Sequence, residues 1–165
     1  DATNLPRHNP LLVIITSVSL EHTAVLGTTL SEIATEKAGL LKERGQCLIG
    51  HLPDAASEAV RLEAQKKRAS VFTVDSCHYF TYQDPYFRFD YVPYSKLEIL
   101  SPARYLLDDA ASAIEATKIL RLRFPVSEEA LRRGLFVKPL PCRMERHRQV
   151  IFDGALNPEA MDLLL

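Results

Sequence analysis

The sequence predicts an α/β protein: a mostly parallel sheet flanked by helices, followed by a small antiparallel sheet. Three observations carry this expectation. Residues 11–18 (LLVIITSV) are largely β-branched and almost continuously apolar, the pattern of a strand covered on both faces. Strand-like and helix-like segments then alternate as far as residue 74, an order that favours parallel strands joined by helical crossovers. From His78 the texture changes, and Tyr79, Tyr82, Tyr86, Tyr91 and Tyr94 alternate loosely with polar residues, as short antiparallel strands do.

Taken in order, residues 1–10 (DATNLPRHNP) are polar and broken by prolines, and read as loop. Thr29-x-x-Glu32 is a capping-box pattern: the hydroxyl can accept from an early amide while the carboxylate reaches back. The helix it opens carries Leu30, Ile33, Ala34, Lys37 and Ala38 at helical spacing, and Gly39 is expected to end it in a left-handed turn. A second strand is expected over 46–51. Pro53 then opens a helix reaching Arg68, with Lys66, Lys67 and Arg68 in a last turn where positive charge suits the dipole. Residues 70–74 form a third apolar strand. Turns are expected near Asp84-Pro85 and at Pro93. Residues 108–121 read as a helix with Ala110, Ala113, Ile114, Thr117 and Leu120 on one face, and Ser127-Glu128-Glu129 opens another that ends at Gly134. A strand over 149–152 and a helix starting at Pro158 close the chain.

Composition bounds the function. The 165 residues are 47% apolar and 25% charged, with a net charge of −1, the balance of a soluble globular protein with an ordinary core. Attraction to nucleic acid or to an anionic membrane is not expected at that charge. The longest purely aliphatic run, residues 11–15, is too short to span a bilayer. No signal-peptide pattern occurs, and because the chain opens on Asp1 its true start is expected upstream. Cys47, Cys77 and Cys142 have neither metal spacing nor a disulfide framework. Reduced thiols in a cytosol, mitochondrial matrix or stroma fit them.

The segment SLEHTAVLGTTLSEIATEKAGLLK (residues 19–42) places a single histidine, His22, before a helix whose apolar stripe includes Lys37. Read alone, a loop histidine is solvated or hydrogen-bonded, and a lysine on an apolar face snorkels its ammonium to water. Arg143 has a surface ion pair with Glu145 as its plain reading, and Asn157-Pro158 suits a simple strand-to-helix turn.

Four segments together resemble the folylpolyglutamate synthase / dihydrofolate synthase branch of the Mur ligase superfamily. They are DATN (residues 1–4), ITSVSLEHTAVLGTTLSEIATEKAGLLK (15–42), PCRME (141–145, against the family's P-G-R-M/F-E) and DGALNPEA (153–160, against D-G-A-H-N-P-E-A). The resemblance implies an ATP-dependent amide ligase: ATP phosphorylates the carboxylate of a folate or dihydropteroate, and the amine of L-glutamate displaces the phosphate. It implies a Mur-ligase-type central ATPase domain over residues 1–148, with 149–165 forming the linker and the start of a C-terminal domain. It makes His22 a magnesium ligand and Lys37 the lysine that the family carbamylates, its carbamate serving the metal site. Arg143 would reach the ATP phosphates, Asp153 the ribose and Asp109 the adenine, with Asn157 completing the junction turn. His22, Lys37 and Arg143 are thus the candidate catalytic set; Asp109, Arg143, Asp153 and Asn157 are the nucleotide set.

The departures from the family are as specific as the matches. Its phosphate loop, G-x-x-G-K-S, does not occur in these 165 residues, so the chain alone is not expected to hydrolyse ATP. In ARYLLDDAASAI (103–114), against G-x-Y-Q-x-x-N-A-x-x-A-I, Ala103 stands for a glycine, Leu106 for a glutamine and Asp109 for an asparagine. Cys142 replaces the linker glycine and Leu156 the junction histidine. Two readings follow: part of a divergent ligase, or a non-catalytic subunit kept for its surface in a larger assembly with a protein partner. A nucleic-acid reading of RMERHR (143–148) and the tyrosines is outweighed by the net charge; the tyrosines are expected to pack one face and wet their hydroxyls. Dihydrofolate and folylpolyglutamate synthase are not separable from these residues.

Overall fold

In the computed structural model, residues 9–138, 140–155 and 157–164 are described; the expectations for residues 1–8, Leu156 and Leu165 lie outside them. The chain divides into two compact units, one running to Val74 and the other starting at Asp75.

The first unit is the expected β-α-β-α-β run. It comprises β1 (Val13–Ile15), a short α1 (Thr23–Leu26), α2 (Leu30–Ala38), β2 (Gln46–Ile49), α3 (Asp54–Lys66) and β3 (Ser70–Thr73). The sheet is parallel in the order β1-β2-β3. Val13 pairs with Cys47 and Cys47 with Val71, so these residues share one face. That face packs on Ile33, Ala34 and Ala38 of α2 and on Ala56, Val60 and Ala64 of α3. The small alanines let both helices approach the sheet closely. The first strand is shorter than the expected 11–18. Among the described residues it lies at the end of the sheet order, and Ile14, on the face away from α2 and α3, is 40% exposed, so the expected cover on both faces is not seen there. In β3, the expected third apolar strand, Phe72 is 36% exposed.

The capping box forms as expected. Thr29 Oγ1 accepts from the Glu32 amide at 3.2 Å, and Glu32 Oε2 accepts from the Thr29 and Thr28 amides at 3.0 and 2.7 Å. The far end of α2 differs from expectation. Gly39 is right-handed, φ −53° and ψ −26°, and its amide stays bonded to Thr35 and Glu36 carbonyls. The last carbonyls, of Ala38 and Gly39, are instead met by the Lys67 ammonium at 3.3 and 3.1 Å. A lysine from the end of α3 thus caps its neighbour helix, and no left-handed turn is needed. Glycine is still required at 39, since a Cβ there would lie 2.8 Å from the Glu36 carbonyl oxygen.

The second unit begins with β4 (His78–Gln83), β5 (Tyr86–Tyr91) and β6 (Tyr94–Ile99), an antiparallel sheet in that order. Its turns fall at Asp84-Pro85 and Val92-Pro93, where they were expected. Helices α4 (Leu106–Leu120) and α5 (Glu128–Leu135) follow, the latter capped by Ser127 Oγ accepting from the Ala130 amide at 3.1 Å. The hairpin β7 (Glu145–His147) and β8 (Val150–Phe152) and the short α6 (Pro158–Asp162) complete it. Phe87, Phe89 and Tyr91 alternate into the core of this unit, which also buries Leu97, Ala111 and Ile114.

The second unit departs from expectation at two places. Ala113 faces solvent, while Leu107, Ala111, Ser112 and Glu115 are buried, so α4 turns a different stripe inward. Tyr91 does not wet its hydroxyl. It is fully buried, its hydroxyl donates to Glu115 Oε1 at 2.8 Å and accepts from the Asp75 amide at 3.1 Å, and burial raises its pKa. Lys118 also donates to Glu115, so this buried carboxylate has the partners that burial demands. Among the described residues no helix is long and apolar enough to cross a membrane.

Candidate functional site

The predicted residues fall into two groups, one in each unit. In the first unit, His22 precedes α1 with a left-handed backbone, φ 50°, and its carbonyl accepts from the Val25 and Leu26 amides at 2.8 and 2.9 Å. Its ring is exposed. Lys37, in the last turn of α2, is half-buried rather than enclosed, and donates to Glu21 Oε1 at 3.0 Å. No hydrogen bond or ion pair links Lys37 to His22 among the described residues. The partner of the lysine is Glu21, which sequence reasoning passed over. Its one signal was its place beside His22 in SLEHTAVL.

In the second unit, Asp109, Arg143 and Asp153, which lie far apart in sequence, form one electrostatic cluster. Asp109 sits in the first turn of α4. It is exposed, but protein atoms crowding the carboxyl displace bulk water and raise its pKa above the usual value; Asp108 adds to this and Arg143 opposes it. Asp153 is the hub. Its Oδ2 accepts from the Tyr105 hydroxyl and the Met144 amide, both at 2.8 Å, and its Oδ1 accepts from the Ala155 amide at 2.8 Å. Burial alone would raise its carboxyl pKa; the Tyr105 hydroxyl, the two amides and the Arg143 guanidinium together hold it below the ordinary value. The same contact, with burial, pushes Tyr105 upward. Asn157 is engaged locally: its Oδ1 accepts from the Ala160 amide at 2.8 Å, capping α6. Arg143 is exposed and has no ion pair with Glu145, whose Oε2 instead accepts from the Cys142 amide at 3.1 Å. Tyr105 and Gly154, both in contact with this cluster, were not singled out from sequence.

Cys142, the residue in place of a glycine, has a left-handed backbone at φ 58°. A side chain there costs of order 1 kcal/mol. Cys142→Gly is therefore expected to raise stability by up to about 1 kcal/mol, read as a higher urea midpoint with an unchanged slope.

No family model matches the chain. It is 31% identical to the dihydrofolate synthase/folylpolyglutamate synthase of Bacillus subtilis over 99% of its own length and 40% of that protein. It is 29% identical to the folylpolyglutamate synthase of Lacticaseibacillus casei over its whole length and 41% of that protein. Among solved structures, an FPGS–AMPPCP–folate complex superposes with a TM-score of 0.88 at 26% identity, over 94% of this chain and 41% of that one. The apo form of L. casei FPGS does so with a TM-score of 0.85. The chain thus spans about two fifths of the length of these relatives. Its parallel three-stranded sheet, its small antiparallel sheet and its near end-to-end similarity agree: the chain resembles the folylpolyglutamate and dihydrofolate synthases along nearly all of its length.

Proposed function

We propose that this chain is part of an ATP-dependent ligase that joins L-glutamate to the carboxylate of a folate or dihydropteroate through an acyl phosphate. The observation that carries this reading is the Arg143 guanidinium, which lies over Gly154, next in the chain to Asp153, and has no hydrogen-bond partner among the described residues. A guanidinium with free donors suits phosphate oxygens, and a carboxylate nearby can accept from ribose hydroxyls. On this reading Arg143 binds phosphate oxygens, Asp153 the ribose and Asp109 the base, while Asn157 shapes the turn beside them. Residues 1–148 correspond to the nucleotide-binding portion, and 149–165 to a linker and the start of a further domain.

Magnesium is tested by the donors present. Among the described residues no group of three or more His, Cys, Asp or Glu side chains could hold a metal, and an ammonium has no lone pair to offer. Carbamylated Lys37 would change that, adding two oxygens beside the Glu21 carboxylate, with which the lysine now pairs at 3.0 Å. These oxygens are donors of the kind a hard cation accepts; the His22 imidazole would be the further ligand that the resemblance implies. Bound there, magnesium would neutralise phosphate charge.

The test uses the protein at its natural length with ATP, magnesium, L-glutamate and either dihydropteroate or a reduced folate. Phosphate release is expected only when all components are present, and the acceptor that supports it decides between the two activities. No release with any acceptor would overturn the proposal. A second reading, a non-catalytic subunit of an assembly, is favoured by β8, where Val150, Ile151 and Phe152 are 53%, 56% and 49% exposed. It predicts no ATP binding and a stable partner covering that strand.

A further inference from the structure

The Arg143 side chain is placed by a contact that leaves its donors free. An ideal Cβ built on Gly154 would lie 2.6 Å from Arg143 Nη1 and 3.7 Å from its Cζ. The guanidinium therefore occupies the space where any other residue at 154 would begin its side chain. No positive φ is recorded at Gly154, so the backbone there has no conformational need for glycine. What the glycine supplies is room.

The floor of this space is tied down on both sides of the arginine. The Gly154 amide donates to the Cys142 carbonyl at 2.8 Å. The Met144 amide donates to Asp153 Oδ2, also at 2.8 Å. The residues before and after Arg143 are thus each bonded to one of the adjacent pair Asp153-Gly154. Tyr105, from the start of α4, adds its hydroxyl to the same Asp153 oxygen, and Ala155 holds the other. Two strapped backbone segments and one tyrosine fix where the guanidinium can rest.

We infer that Gly154 is a positioning residue for Arg143, its missing side chain forming the seat of the guanidinium, and that Tyr105 holds this seat through Asp153. With its donors unpaired among the described residues, the seated guanidinium presents itself to a compact oxyanion such as a nucleotide phosphate. That ligand assignment rests on the proposed function; the seat itself does not.

Gly154→Ala is the discriminating variant, because the atom it meets first is the far end of a flexible side chain. Arg143 can swing away, so the fold survives while the guanidinium is displaced. Three quantities are measured on the protein at its natural length: the thermal midpoint, the carboxyl titrations of Asp153 and Asp109 by carbon NMR, and ATP affinity by calorimetry. Gly154→Ala is expected to keep a midpoint near that of the parent. Both carboxyls should titrate higher, as they do in Arg143→Ala, because the cation that lowers them has retreated. ATP binding should weaken at least about tenfold, the loss of one charge-assisted contact. Tyr105→Phe should raise the Asp153 titration with a smaller loss of ATP affinity.

If Gly154→Ala leaves both titrations unchanged, or unfolds the protein, the seat is wrong whatever happens to ATP. If the titrations move while a parent that binds ATP loses nothing in the variant, the positioning role is wrong. If the titrations move and the parent binds no ATP at all, the seat stands and it is the proposed function that fails.

Discussion

Phe89→Ala is expected to destabilise the second unit by about 4 kcal/mol, the cost of removing a large aromatic from a filled interior. Phe89 is 0% exposed and lies between Phe87 and Tyr91 on the inward face of β5. Urea unfolding should show this as a large fall in midpoint. Tyr79→Ala, on the neighbouring strand and 87% exposed, should change stability by no more than about 0.5 kcal/mol. Equal effects of the two substitutions would mean that the alternation along β5 does not define the core.

Asp153→Ala is expected to have the largest effect on the candidate site. It removes the acceptor of three hydrogen bonds, from Tyr105, Met144 and Ala155, and so frees the β7–β8 hairpin from the start of α4. A loss of about 2–3 kcal/mol is expected, with faster hydrogen exchange at the Met144 and Ala155 amides and loss of any nucleotide affinity. The sign of the pH dependence follows from the lowered carboxyl. A group whose pKa falls on folding contributes stability that is fully present above its unfolded value, about 3.9, and is lost as pH drops through the lower folded value. The parent should therefore lose this contribution on acidification below about pH 4, and Asp153→Ala should lack that limb of the curve. Asp109 acts in the opposite sense. Its pKa is raised on folding, so its favourable contribution is complete below the unfolded value and disappears as pH rises through the folded one. With Asp153 gone, the profile should tilt toward acid. A variant with the same acid limb as the parent would show that Asp153 is not the hub.

What could be read in advance was written in local chemistry. Thr29 and Glu32 sit at the spacing a capping box needs, and they form one. The prolines at 85 and 93 mark both turns of the antiparallel sheet, because a missing amide interrupts a ladder wherever it occurs. Arg143, Asp109 and Asp153 were legible only through resemblance, since nothing in their spacing predicts that they meet. What escaped was non-local. Lys67 caps a helix from which it is distant in sequence, and its charge looked equally suited to its own helix end. Strand β7 is Glu-Arg-His, exposed throughout; it is held by a backbone ladder to β8, which leaves no alternation to read. Tyr91 resembles its solvated neighbours until α4 brings Glu115 to its hydroxyl. Gly154 was hidden for a different reason: its role is to be absent from a space, and composition does not record space.

The Glu21–Lys37 ion pair has a consequence for chemistry at that amine. Only an unprotonated amine attacks carbon dioxide, so the pair must break before a carbamate can form. Once formed, the carbamate would turn an attraction into a clash of two anions. A divalent ion between them would relieve that clash, so carbon dioxide and the metal would each strengthen the hold of the other by the same factor. The lysine would then report on dissolved carbon dioxide and on free metal jointly.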